Sequence, residues 1–347
     1  MLSTAQLKLR KSGLSATDMS KISGENPWGS AVDVWIDKTT PFDPDALPVL
    51  ASNRAVTGQM LEAAIAKRYV YEAETEGRDL RIVQTATTYQ HPVIKWAMAT
   101  PDRFIFNLPE GSRKSHASLR QMLAAPQGKA DWLLECKLVG GRVSRHWNLV
   151  EGDTPDCDRI PPYVYVQVQW QAFVLGYERV DVAAVIDGTT FKRFTIVKDD
   201  AYINALVGLG GYFWEHNVLG REPPKPDGTD QYTRFLDARY PYPKREIISP
   251  PPGSLKLALE YDEYRQAETH AKAEKERRGQ VLKQLVGDAT GFEGGWGKVI
   301  WQACKGQVDW KSLCRDLNIS EDTLDKYRTR EKRSLKVSVT NTQEDLF

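Results

Sequence analysis

The stretch Asp131–Val139, DWLLECKLV, decides how this chain is read. It is apolar at Trp132, Leu133, Leu134, Leu138 and Val139, and its length suits a buried β-strand. Glu135 and Lys137 interrupt it two residues apart. Side chains alternate along a strand, so both charges point to one face. Trp132, Leu134, Cys136 and Leu138 are expected to pack the other.

Upstream, VIKWAMATPDRFIF (Val93–Phe106) reads as two strand pieces meeting at Thr100-Pro101-Asp102, and RDLRIVQTATTYQHP as a strand before them. Earlier still, Ser52–Glu74 carries Met60, Leu61, Ala64, Ile65 and Tyr69 near a 3.6-residue period, which predicts a helix. Residues 1–50 read as polar turns and short apolar segments. Asn107–Lys129 is a polar, basic insertion read as a loop. Downstream, Pro161–Tyr177 begins with paired prolines and ends at Gly176, the signature of a helix. Arg179–Asp199 is two apolar strands around Asp187-Gly188, a hairpin. The next helix, Ala201–Gly220, runs into a proline-rich break.

A cluster, SPPPGS (Ser249–Ser254), reads as a linker. It divides the chain into a domain at 1–248 and an extension at 249–347. The extension reads as a long charged helix (Leu255–Leu285), a small hairpin (295–310) and a helix pair. That pair suits either a packed helical hairpin or a helix-turn-helix.

Composition narrows the function classes. Charged residues make up 27% and apolar residues 41% of 347, as in ordinary globular proteins. The net charge of +1 excludes a chain that binds nucleic acid by bulk charge, so any basic surface is local. No apolar run approaches a membrane span, and the first residues lack the apolar stretch of a signal peptide. Cys136, Cys157, Cys304 and Cys314 form no CxxC pair, which argues against a zinc or iron–sulfur centre. Reduced thiols in a cytoplasm are expected.

Four polar features stand out on these elements: Asp102 at the kink, Glu135 with Lys137, Glu62 within the first strong helix, and Gln167, Gln169 and Gln171 on an apolar helix. Each alone has an ordinary reading as a turn residue, a surface ion pair or a solvated side chain. Together, carboxylates converging from neighbouring strands make a hard-oxygen site suited to Mg²⁺ or Mn²⁺. A lysine beside them is placed to hold a water or a phosphate oxygen. The chemistry this implies is metal-assisted phosphodiester hydrolysis.

P-D followed by E-x-K on the next strand resembles the PD-(D/E)xK nucleases. More closely, the chain resembles phage recombination exonucleases of the lambda exonuclease and YqaJ type. The segments that carry the likeness are RKSGLSATDMSKISG (Arg10–Gly24), the helix with Gly58 and Glu62, ATPDRFIF, LLECKL and YVQVQWQAFVLG. The resemblance covers roughly residues 8–200. It implies an α/β fold, a restriction-endonuclease-like core with a mixed central sheet flanked by helices and a helical C-terminal extension.

Carried over by position, it implies that Asp102, Glu135 and the carbonyl of Cys136 bind catalytic Mg²⁺, with Mn²⁺ a possible substitute. Lys137 would assist the attacking water, Glu62 would serve a second metal or hold a water, and Gln167 would orient the lysine or the nucleophile. Arg10, Thr17 and Arg54 would grip a DNA 5′-phosphate. The implied activity is 5′→3′ exonucleolysis of double-stranded DNA ends, leaving 3′ single strands. The implied partners are a single-strand annealing protein and further copies of the chain in a ring-like trimer or tetramer. No membrane is implied, and the setting is a bacterial host cytoplasm. The residues leave open an endonuclease of the same superfamily and a DNA-binding or assembly module without catalysis. Two departures are visible: Arg103 stands where the family often has glycine, and the basic stretch Pro109–Arg120 lengthens the gap between Asp102 and Glu135.

Overall fold

Hydrophobic runs separated by turn signals become, in this computed structural model, a five-stranded sheet between helices. The structure describes residues 4–43, 53–85, 87–109, 112, 114–124, 129–140, 147, 160–243, 246–328 and 334–338, the side chains of 53–55 excepted. The chain divides into two compact units, Met1–Phe235 and Leu236–Phe347, which meet ahead of the Ser249–Ser254 proline cluster.

The first unit opens with helices α1 (Thr4–Arg10), α2 (Ala16–Ile22), α3 (Ala31–Thr39) and α4 (Asn53–Thr75). Strands β1 (Asp79–Val83), β2 (Tyr89–Gln90), β3 (Met98–Ala99) and β4 (Arg103–Leu108) follow, then α5 (His116–Ala124), β5 (Trp132–Val139) and α6 (Pro162–Leu175). The hairpin β6 (Arg179–Ile186) and β7 (Thr190–Val197) leads into α7 (Asp200–Tyr212), which continues as a π-helical turn, Phe213–Leu219. Helix α8 (Asp230–Arg239) crosses into the second unit.

The sheet order is β1-β4-β5-β6-β7, with only β5 and β6 parallel. A parallel pair needs a crossover, and α6 supplies it. The β6–β7 connection is the three residues Asp187–Thr189 between the paired Ile186 and Thr190, with Asp187 and Gly188 both at positive φ (51° and 77°), as tight hairpin turns require.

Period-two alternation sorts the side chains of β5. Leu133 and Val139 join Val164, Val168 and Ala172 of α6 in one core. Trp132, Leu134 and Cys136 join Ile65, Ala66, Tyr69 and Ala73 of α4 in another. Leu138 was expected with the second set but is 37% exposed, because packing by α4 along this face ends at Cys136. A third core joins Leu14 and Met19 to Val34, Trp170, Leu206 and Phe213. Helix α6 is therefore buried on both flanks, and Gln167, Gln169 and Gln171 are all buried rather than solvated.

Two expectations need correction. The N-terminal turns are helices: Ser15 caps α2, accepting the Asp18 amide, while the Asp18 carboxylate accepts the Ser15 amide at 2.8 Å. The S-x-x-D spacing of this reciprocal cap was present in the sequence. The basic insertion likewise contains a helix, α5, anchored by the fully buried Leu119.

The second unit holds α9 (Ser254–Val286), the hairpin β8 (Gly291–Gly294) and β9 (Gly297–Ile300), and short helices α10 (Trp310–Asp316) and α11 (Glu321–Asp325). Ser320 caps α11 through the Thr323 amide. No described helix is long and apolar enough to cross a membrane.

Candidate active site

Strands β4 and β5 pair only from Arg103↔Leu134 to Ile105↔Trp132 and then part at the Thr100–Asp102 kink. Beyond that point β5 has no β4 backbone facing it. The Asp102 carboxylate takes the vacated position, accepting the Cys136 amide at 2.8 Å. The kink thus carries one carboxylate to the edge of β5 beside a second, Glu135. Pro101 favours this break, because it has no N–H to donate to a ladder.

Glu135 is 7% exposed and held from both oxygens. Lys137 Nζ donates to Oε1 at 2.5 Å and Gln171 Nε2 donates to Oε2 at 2.8 Å. Lys137 also donates to Gln167 Oε1 at 2.8 Å, and the Gln167 amide faces Thr17 Oγ1 at 3.5 Å. Gln167 and Gln171 are four residues apart and so share one face of α6. Gln169 lies on another: its amide donates to the Val197 carbonyl and its oxygen accepts the Asp199 amide, tying α6 to the start of α7. Gln171 is a site residue that the motif comparison did not single out. Its spacing from Gln167 was the available signal.

The carboxylates raise one another. Burial, then the charges of Glu135 and Glu62, push the Asp102 carboxyl well above the usual range. Burial lifts Glu62 too; Arg103 pulls it back down, and Glu135 adds to the rise. Burial works against the Lys137 ammonium, but Glu135 and Asp102 outweigh it and hold its pKa above that of free lysine. Lys137 is therefore a cation here, a donor rather than a base. The Cys136 thiol is pushed well up by burial and then by Asp102, which makes it inert.

A second network borders the first. Arg10 Nη2 donates to Ser15 Oγ at 2.8 Å. Ser15 in turn bonds Asp18, and Lys38 Nζ joins Asp18 (3.0 Å), the Arg10 carbonyl (2.8 Å) and Asp37 (3.0 Å). Arg10, Thr17, Glu62, Asp102, Glu135 and Gln167 line one polar cleft of about 400 Å³, together with Ser15, Arg103 and Gln171. Lys137 sits behind it through Glu135 and Gln167. Arg54 falls in the first turn of α4, with its side chain outside the described residues.

Residues 6–178 match the YqaJ-like viral recombinase domain family. The chain carries a YqaJ-like viral recombinase domain. Among curated proteins, uncharacterized protein YqaJ of Bacillus subtilis (strain 168) is 27% identical over 235 residues. That match takes in 67% of this chain and 61% of the relative's length. Solved structures with similarity include LHK-Exo in complex with dAMP, 14% identical, spanning 68% of this chain and 98% of that one, TM-score 0.42. LHK-Exo is an alkaline exonuclease of Laribacter hongkongensis. A phage-related exonuclease from Haemophilus somnus 129PT is 12% identical, spanning 60% and 96%, TM-score 0.37.

Within the matched residues 6–178, Arg10, Glu62, Asp102, Glu135 and Gln167 line the cleft. Among the described residues no three His, Cys, Asp or Glu side chains form a closed metal cage. The donor set that is present suits an ion that keeps much of its water, as Mg²⁺ does. Asp102 and Glu135 are adjacent like charges, which a cation would relieve. In an extended strand the N–H and C=O of one residue point to the same edge. The Cys136 amide points at Asp102, so its carbonyl faces that same unpaired edge. Two carboxylates and a carbonyl thus fit one divalent ion, with water or phosphate completing the shell.

Proposed function

We propose that the chain is a Mg²⁺-dependent nuclease that digests double-stranded DNA ends in the 5′→3′ direction and leaves 3′ single strands. The observation that carries the reading is the meeting of Asp102 and Glu135, from parted strands, beside an ammonium and a buried glutamine pair. The YqaJ-like viral recombinase family supports the substrate class. Mn²⁺ would substitute for Mg²⁺ on the same donors.

Asp102, Glu135 and the Cys136 carbonyl would hold the ion. When bound, it would polarise a phosphate oxygen and lower the pKa of a coordinated water. Glu135 is kept in one orientation by Lys137 and Gln171, so its oxygens need no reorganisation. Lys137, a fixed cation, donates to a water or phosphate oxygen that approaches Glu135. Gln167 holds Lys137 from the other side. Arg10 and Thr17, at the rim, receive a terminal 5′-phosphate, with Arg54 from the first turn of α4 as a further cation.

Direction, end specificity and assembly rest on the family resemblance. A ring-like trimer or tetramer would keep a weakly charged subunit on DNA between cuts, and the single strand produced would pass to an annealing protein in the host cytoplasm.

Linear duplexes labelled at either the 5′ or the 3′ end, with Mg²⁺ or with chelator, test the reading. Mononucleotides released first from the 5′ label, only with Mg²⁺, are expected. Cleavage of covalently closed circles would point to an endonuclease, and no Mg²⁺-dependent cleavage of any substrate to a non-catalytic module. Mass measurement of the purified chain tests the ring.

A further inference from the structure

Arg103 is a buried cation that the scheme above leaves without a task. It is 4% exposed, begins β4 and lines the cleft with Glu62, Asp102 and Glu135. Its register partner is Leu134, so its side chain leaves the sheet on the α4 side, where Glu62 sits. Nη1 donates to the Asp102 carbonyl at 2.6 Å. The same nitrogen stands 3.9 Å from Glu62 Oε2, beyond hydrogen-bonding reach. Nε and Nη2 have no acceptor among the described residues.

A guanidinium placed for structure alone would turn its fork onto a carboxylate, since bidentate charge-assisted pairs are the strong ones. The bidentate grip of Arg179 on Asp181, at 2.7 Å on two nitrogens, is how this same fold satisfies a structural arginine. Arg103 instead keeps two donors open within the cleft that it lines with Glu62, Asp102 and Glu135. Planar paired donors match two oxygens of a phosphate group, which a lysine cannot do.

We infer that Arg103 is a phosphate-binding residue that takes the two non-bridging oxygens of a nucleic-acid phosphodiester beside Glu62. The inference rests on the nuclease reading for its ligand. It gives the cleft a permanent cation at the place where Glu62 would otherwise be free to draw in a second divalent ion.

Fluorescence anisotropy of a labelled, 5′-phosphorylated duplex tests it, with Ca²⁺ in place of Mg²⁺ to prevent cleavage. Full-length wild type, Arg103→Gln, Arg103→Lys and the double variant Glu62→Gln/Arg103→Gln are titrated from about 50 to about 250 mM salt. Arg103→Gln should bind about tenfold or more weakly, with a log–log salt slope smaller by about 0.9, one phosphate contact. Arg103→Lys should keep the slope but still lose several-fold in affinity. The double variant should stay weak: recovery to wild-type affinity would mean that Arg103 merely neutralises Glu62, and would overturn the inference. So would wild-type affinity and slope in a folded Arg103→Gln. If Arg103→Gln does not fold, Arg103→Lys decides, and wild-type affinity there overturns the inference. Wild type that binds and cleaves while the Arg103 variants match it would sink this inference alone. Wild type that neither binds nor cleaves duplex DNA would sink the nuclease reading, and the inference with it.

Discussion

The Asp102 carboxylate accepts the Cys136 amide at 2.8 Å across the gap where β4 and β5 part, so one side chain continues a ladder that the backbone has abandoned. The arrangement stores like-charge repulsion, since Glu135 and Glu62 both push the Asp102 carboxyl up after burial has done so. Asparagine keeps an acceptor for Cys136 and removes the charge. Asp102→Asn should abolish nuclease activity while raising the melting temperature of the metal-free protein by a few degrees, about 2–4 °C per kcal/mol for a unit of this size. Wild type should be stabilised further by Mg²⁺, and the variant should not. Equal Mg²⁺-induced shifts in the two proteins would remove Asp102 from the metal site.

Gln171 acts on Glu135 and leaves its own Oε1 buried without a partner among the described residues. Gln171→Leu deletes the unsatisfied acceptor but also takes the donor from the buried Glu135 Oε2, so thermal stability should fall by roughly 1–3 kcal/mol. Glu135 would then be held only by Lys137. Groups that orient a metal ligand typically carry about 10–100-fold in metal affinity or activity. Titration of activity against Mg²⁺ should therefore show a higher requirement of that order. An unaltered Mg²⁺ curve would demote Gln171 to packing.

The site was legible in sequence where chemistry broke a pattern. A carboxylate and an ammonium in an apolar strand had to share a face, because strand alternation leaves no other geometry. The pairing of Gln167 with Gln171 obeys the same logic on a helix: about 100° per residue turns Gln169 away and brings Gln171 back. Gln169, which stood beside them as a polar residue on the same apolar helix, belongs to the joint with Val197 and Asp199. Short elements were harder to see. Helices α2 and α5 are too short to show a period, and Leu119 fixes α5 through a contact with the core that no local pattern encodes. The distance between β4 and β5 was also hidden, since it depends on where pairing stops.

Behind the site, Tyr69 joins α4 to the sheet. Its hydroxyl donates to Asp181 Oδ2 at 2.5 Å and accepts Trp132 Nε1 at 3.0 Å. Arg179 grips the same carboxylate and lies 4.2 Å above the Trp132 ring. Tyr69→Phe leaves a buried indole N–H without an acceptor, at a cost of roughly 1–3 kcal/mol. Urea unfolding should register that loss, whereas cleavage at saturating Mg²⁺ should stay at the wild-type rate. A drop in rate without a loss of stability would mean that this network tunes the site.

Asp18 makes the fold's acid sensitivity testable. Burial alone would raise its pKa, but Lys38, Arg10 and the Ser15 hydrogen bond outweigh burial and hold it below the ordinary value of 3.8. Since the carboxylate is favoured in the folded state, its contribution is complete above the unfolded pKa and disappears as pH falls through the lower folded one. Lys38, whose side chain is 1% exposed, would lose a buried counter-charge in Asp18→Asn, keeping only Asp37 and the Arg10 carbonyl. The variant should be less stable by about 3 kcal/mol near neutrality, as when one partner of a buried pair is removed. Denaturant melts of both proteins at falling pH should show that gap constant down to about pH 4 and closing below it, because wild type then protonates the same carboxyl. Arg10 hangs from this network through Ser15, so affinity for a 5′-phosphorylated end should weaken in the same variant at neutral pH. A gap that persisted unchanged into strong acid would mean that the pair stabilises by packing rather than by charge.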